Sequence, residues 1–167
     1  NELKGKTVVT SVCFRLARQP RTNLAYGEVA AECEKLGEPT PVNVRKAIIS
    51  IRKRKLPDPK ETGNAGSFFK NPVVTGEYHT QLIKDYPDIP TYHLSDGCVK
   101  LAAGWLIDQC GWKGSRFGNA GVHERQALVL INHGNATGEE IIDLAERIME
   151  SVRSRFGIVL CPEVEII

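Results

Sequence analysis

The 167-residue chain has no CxxC pair, no HExxH motif, no apolar run of about 18 residues and almost no excess charge of either sign. Each absence removes a class of function. The five cysteines, Cys13, Cys33, Cys98, Cys110 and Cys161, stand far apart. An odd number cannot close a full disulfide set within one chain, and without paired spacing no metal site is expected. Scattered thiols fit a reducing compartment, so a cytoplasmic location is the expectation. No stretch is long and apolar enough to span a bilayer as a helix, and the start, NELKGK, lacks the apolar segment of a signal peptide, so a soluble chain with no membrane partner is expected. Twenty-two Lys and Arg against twenty Asp and Glu leave a net charge of +2, too near neutral to make nucleic acid an expected partner. There is no internal repeat or low-complexity tract. What remains is a chain with 41% hydrophobic and 25% charged residues, enough for a real core under an ordinary polar surface. It opens on Asn1 and stops at Ile167 close to or inside apolar stretches, and both ends are expected to be cut from something longer.

The periodicities mix helix and strand. Residues 7–16 alternate, with Val8, Val12, Phe14 and Leu16 on one face, and predict a strand. Residues 30–36 predict a short helix ending at Gly37. Thr40 before Pro41 suits an N-cap with proline at the first helical position, and Val44, Ala47, Ile48 and Ile51 then recur at helical spacing until Pro57 and Pro59 end the run. Residues 60–72 read as a glycine-punctuated loop, followed by helices over 79–86 and 99–110 and a buried strand over 127–132. Thr137 and Glu140 form a capping-box pattern ahead of the apolar stripe Ile141, Leu144, Ala145, Ile148 and Val152, and Gly157 stops that helix. The chain is expected to leave as a strand, IVLCPEVEII, interrupted at Pro162. The fold class is therefore α+β, a mixed sheet with packed helices.

Three features carry candidate chemistry, each with an ordinary alternative. Arg52, Lys53, Arg54 and Lys55 make a local positive field, which suits either phosphate binding or the solvated C-terminal end of an amphipathic helix. GNAGS at 63–67 suits either a backbone cradle that presents the Ser67 hydroxyl or a plain tight turn. It is not a hydrolase elbow, because Phe68 and Phe69 follow the serine where GxSxG needs glycine. Glu163, flanked by Val159, Leu160, Val164 and Ile166, is either a surface strand position or a carboxylate held in apolar surroundings. His79, His93, His123 and His133 show no ligand spacing and read as surface or hydrogen-bonded histidines.

Taken together, KLPDPK at 55–60, GNAGSFFKNPVV at 63–74, VKLAAGWLIDQCGWKG at 99–114, HERQALVLIN at 123–132 and PEVEII at 162–167 closely resemble the C-terminal half of the UDP-N-acetylenolpyruvoylglucosamine reductase (UDP-N-acetylmuramate dehydrogenase) family. The resemblance covers nearly the whole chain. It implies an FAD-dependent, NADPH-driven oxidoreductase of peptidoglycan precursor synthesis, which reduces UDP-N-acetylglucosamine enolpyruvate to UDP-N-acetylmuramate. By the same resemblance Ser67 is the proton donor to C2. Glu163 is the second catalytic residue, steadying the enolic intermediate in a neutral form that apolar flanks would favour. Tyr26, in AYGE, matches the family's tyrosine loop. Tyr26 and Lys55 are implied at the diphosphate, Asn71 and Gln126 at sugar or uracil, and Lys113 as added positive charge.

The resemblance also implies an organisation: residues 1–41 as the end of a flavin-binding domain with the tyrosine loop, 42–157 as a substrate-binding domain, and 158–167 as a strand returning to the flavin-binding region. FAD is expected to be held mainly by an N-terminal region outside this chain, leaving the fragment alone inactive. Two positions depart from the family pattern, Cys161 and Glu165. Glu165 is two residues from Glu163 and is expected to tune the site without abolishing it. The rival reading is a non-catalytic nucleotide-sugar or anion-binding module.

Overall fold

A computed structural model describes residues 7–166 and divides the chain into two compact units, Asn1–Ile51 and Arg52–Ile167. In the first unit, α1 (Val29–Glu34) is followed by α2 (Pro41–Lys55), which runs across the boundary at Ile51, so that its last turn, Arg52, Lys53, Arg54 and Lys55, belongs to the second unit. The Thr40 hydroxyl accepts the Asn43 N–H at 3.2 Å, and the Asn43 amide donates to the Leu36 and Glu38 carbonyls, so a single side chain stitches the turn between the helices. Val29, Cys33 and Ala47 are buried. Residues 7–16, expected as a strand, form no regular element, and Val8, Val9, Val12, Phe14 and Leu16 are all exposed. Their alternation is that of a strand, but a strand requires a partner ladder, and none pairs with these residues among those described.

The second unit is α+β with two antiparallel sheets. β1 (Gly63–Ser67), β5 (Arg116–Phe117), β6 (Ala120–Val122) and β7 (Val129–Asn132) form one sheet in the order β1-β7-β6-β5. β2 (Val73–Val74), β3 (Thr91–His93) and β4 (Val99–Leu101) form the other in the order β2-β4-β3. Helices α3 (Gly76–Asp85), α4 (Ala103–Gln109) and α5 (Gly138–Phe156) supply the rest of the core. The segment expected as one helix over 99–110 is two elements. Val99 and Leu101 are buried on a strand paired on both sides, Ala102 is extended, and the helix begins only at Ala103. Residues 158–166, expected as a strand, make one isolated bridge, Phe69 to Pro162, because Pro162 has no N–H to continue a ladder.

The apolar stripe of α5 is the strongest local signal realised. Leu144, Ala145, Ile148, Val152 and Phe156 are buried. Gly157 ends the helix at φ +65°, and a Cβ there would lie 2.7 Å from the Tyr78 hydroxyl, which donates to the Phe156 carbonyl. At the other end the capping box is complete. Thr137 Oγ1 accepts the Glu140 N–H at 3.2 Å, and the Glu140 carboxylate accepts the N–H groups of Thr137 at 2.9 Å and Asn119 at 3.4 Å. These backbone donors hold the Glu140 carboxyl below the usual glutamate range, the Thr137 contact first. Its contribution to stability is therefore complete above the ordinary glutamate value and is lost as pH falls through the depressed one. Glu140→Gln is expected to lower the urea midpoint at neutral pH and to flatten the acid-side decline, as measured by circular dichroism across that range.

Candidate active site

The site is built on an irregularity in β1. Gly63 pairs with Asn132 and Asn64 with Ile131, but the next partner of β7, Val129, is met by Ser67, so β1 carries one residue more than the ladder requires. Gly66 absorbs the kink at φ +75°, and the Asn64 carboxamide oxygen accepts its N–H at 3.0 Å. The expected loop over GNAGS is thus a bulged strand. Immediately after it, Phe68 and Phe69 are 6% and 1% exposed, with ring centroids 5.1 Å apart in an edge-to-face contact. This buried pair anchors the exposed Ser67 that precedes it.

The segment following Ser67 is bonded on both edges. The Phe68 N–H donates to the Leu128 carbonyl at 2.7 Å, and the Phe68 carbonyl accepts the Glu163 N–H at 2.8 Å. With Lys70 N–H to Cys161 O at 2.9 Å and the Phe69–Pro162 bridge, these bonds lay the closing segment along the Ser67 strand. Ser67 and Glu163, more than ninety positions apart in the chain, therefore stand on adjoining backbones, both exposed. The apolar flanks expected to surround Glu163 do not bury it within this chain, because Val159 and Ile166 are themselves exposed.

Beside β1 lies an open cleft of about 830 Å³. Its walls are the end of α2 with Arg52 and Lys53, the proline-bearing loop that follows, Asn64 and Gly66 of β1, the turn 123–125 and His133 after β7. The basic cluster thus forms part of a cleft wall. His123 was missed by motif reading. It is 6% exposed, clamped by its N–H to the Val129 carbonyl at 2.9 Å, and its ring Nδ1 accepts the Arg125 N–H at 3.3 Å. Burial, and secondarily the Arg125 charge, lower its pKa, with Glu124 opposing. His123 therefore fits the hydrogen-bonded part of the expectation, whereas His79, 8% exposed with its Nε2 buried and without a hydrogen-bond partner among the described residues, departs from it. No residue spacing announces either burial, which follows from tertiary pairing.

The remaining sequence-predicted residues do not line the cleft. Lys55 is exposed, between the wall residues Lys53 and Leu56. Asn71 uses its Oδ1 to accept the Ala103 N–H at 3.0 Å, which starts α4. Gln126 is half-buried, with its Oε1 accepting the Leu128 N–H at 3.4 Å. Lys113 is exposed and paired with Asp108 at 2.9 Å. Tyr26 belongs to the first unit and is 85% exposed. Among the described residues no three His, Cys, Asp or Glu stand together in a way that would hold a metal ion, and no helix is long and apolar enough to cross a membrane.

Fold and site together define an α+β domain that presents a hydroxyl and a carboxylate on joined backbones beside a cleft with a cationic wall. The profile of the UDP-N-acetylenolpyruvoylglucosamine reductase, C-terminal domain, matches residues 58–167. The chain belongs to the UDP-N-acetylenolpyruvoylglucosamine reductase family. It is 52% identical over 165 residues to the curated enzyme of that name from Chromobacterium violaceum, covering 98% of this chain and 48% of that one. It is 48% identical over 170 residues to the enzyme from Flavobacterium johnsoniae, covering 100% of this chain and 50% of that one. A solved structure of the reductase from Thermus caldophilus is similar over 77% of this chain and 36% of that one, at 23% identity and a TM-score of 0.45. The chain spans about half the length of the curated relatives it matches.

Proposed function

We propose that this chain is the substrate-facing, C-terminal part of a flavin-dependent reductase that converts UDP-N-acetylglucosamine enolpyruvate to UDP-N-acetylmuramate with NADPH as the reductant. The observation that carries the reading is the 2.8 Å bond from the Glu163 N–H to the Phe68 carbonyl, which sets the carboxylate alongside the strand that presents Ser67. A bound flavin, FAD in this reading, would supply a hydride to C3 of the enolpyruvyl ether. The chain's own residues have room for a flat ring there. A Cβ built on Gly66 meets no atom within 4 Å, so the backbone beside Ser67 is open to close approach, and Gly66 with Ser67 would face the ring. The other contacts to the cofactor fall to the half of the relatives' length that has no counterpart in this chain.

Hydride addition at C3 leaves an electron pair at C2, delocalised into the carboxylate as an enolate. The Ser67 Oγ–H gives its proton to C2, forming the new C–H bond of the lactyl ether, and the serine oxygen regains a proton from solvent, which its exposure allows. An alcohol is a weak acid, but the enolate carbon is a far stronger base than any resting side chain. The Glu163 carboxyl, on the adjoining backbone, is the second catalytic group in this reading and steadies the enolic intermediate until protonation is complete. Lys55, together with Arg52 and Lys53 at the end of α2, supports the substrate's diphosphate, and Tyr26, Asn71, Lys113 and Gln126 are the further contacts in this reading. The work is done in the cytoplasm as a step of peptidoglycan precursor synthesis.

The test is NADPH consumption that depends on the enolpyruvyl substrate. A full-length protein carrying this chain is expected to show it, and the 167-residue chain alone is expected to show none. Turnover by the chain alone, or a full-length protein that binds flavin yet never oxidises NADPH with this substrate, would refute the reading.

A further inference from the structure

His123 is a wall of the cleft that the catalytic pair leaves unused. Its position is determined twice by the backbone, since its own N–H is bonded to Val129 on β7 and its ring Nδ1 accepts the Arg125 N–H in the following turn. A ring nitrogen that accepts a hydrogen bond carries no proton, so the neutral imidazole holds its proton on Nε2. Burial and Arg125 hold the histidine below its ordinary pKa, which keeps the ring in this neutral, donor-bearing form at neutral pH.

Charged groups face the ring's cleft from every side. Arg52 and Lys53 come from α2, Asp58 and Glu61 from the loop after it, Glu124 and Arg125 from the histidine's own turn, and His133 from beyond β7. Arg125 is matched by Glu124 at 3.6 Å. Arg52 and Lys53 are the cations opposite, while Asp58 and Glu61 keep the cleft from being a general anion trap. A ligand carrying concentrated oxyanion charge at one end and hydroxyl groups at the other fits this mixture better than a simple anion does.

We propose that His123 donates its Nε2–H to a phosphoryl oxygen of a nucleoside diphosphate sugar held in this cleft, with Arg52 and Lys53 supplying the countercharge. The proposal rests on the reductase reading for the identity of the ligand, but not for the geometry. The probe is UDP-N-acetylglucosamine, whose diphosphate does not titrate near neutral pH, added to the chain with ring-labelled histidine and followed by nuclear magnetic resonance, which detects weak binding. The free His123 ring is expected to show the Nε2–H tautomer, and its signals are expected to shift on titration. His123→Gln, which keeps a side-chain N–H, is expected to bind within about threefold of wild type, and His123→Phe about tenfold more weakly, at an unchanged melting temperature. Wild-type affinity should be flat from pH 7 upward through about pH 8.5.

An Nδ1–H tautomer, a His123 ring that ignores the ligand, or a Phe variant that binds like wild type would each overturn the proposal. The tautomer and the ring shift decide the matter even if the Phe variant fails to fold. Cleft binding of the probe by a chain whose full-length protein does not reduce the enolpyruvyl substrate would sink the reductase reading and leave this contact standing. Enzymatic reduction with a silent His123 would do the opposite.

Discussion

In the reductase proposed above, Ser67→Ala is expected to leave reduction of the flavin by NADPH at its wild-type rate and to slow reoxidation by the enolpyruvyl substrate by a factor on the order of 10² or more. The asymmetry follows from where the hydroxyl acts. In the proposed mechanism NADPH delivers its hydride without any proton from Ser67, whereas the enolate at C2 requires one, and Ser67 is the only serine or threonine of the bulged strand. Stopped-flow measurement of the two half-reactions separates them. Equal slowing of both would mean that the residue shapes the pocket and donates nothing. Because Ser67 is exposed and its hydroxyl forms no part of the Phe68–Phe69 anchor, the substitution is expected to spare the fold.

Leu144→Ala is expected to cost the chain about 2–5 kcal/mol in urea unfolding. Leu144 is fully buried at the centre of the α5 stripe, in the same core as Leu106 and Ile107 of α4 and Val122 of β6. The neighbouring helices and strands are held by their own ladders and caps, so a void at that point has little room to collapse. Glu146→Ala, exposed on the same helix, serves as the control and is expected to stay within about 0.5 kcal/mol of wild type. Similar losses at both positions would mean that α5 is stabilised by its own helical propensity and charge, with its apolar face contributing little.

The same helix shows what local pattern can carry. The Thr137–Glu140 cap, the apolar stripe and the stop at Gly157 are all written within twenty-one consecutive residues, and the structure realises each. The fold class was legible for the same reason, since helical and alternating periods both occur. The short strands were not. β2 and β5 are two residues long and β3 and β6 three, too short for any period to register, and they exist because distant partners complete their bonding. Residues 7–16 are the converse case, a good alternating pattern to which no described residue offers a ladder.

The candidate site divides along the same line. Local sequence marks Ser67 and Glu163 as candidates with ordinary alternatives, and only kinship between long sequence blocks gives them roles, because locally GNAGS looks like a turn and PEVEII like an ordinary surface strand. What unites them is a bond between residues 68 and 163, which no window of sequence contains. His123 was hidden for a related reason. Its burial comes from being clamped to β7, and its tautomer from a turn amide two residues ahead, neither of which leaves a mark in residue spacing.

The surplus residue in β1 has a consequence for how such chains diverge. Side chains along a regular strand alternate between two sides, and the surplus residue between Asn64 and Ser67 is what lets position 67 meet Val129 although it stands an odd number of residues from Asn64. Removing one residue there, with the serine still opposite Val129, would erase the bulge and its local bend and twist, re-aiming the hydroxyl without altering a single functional side chain. Single-residue length changes in this stretch are thus a harsher filter on working descendants than most substitutions beside it.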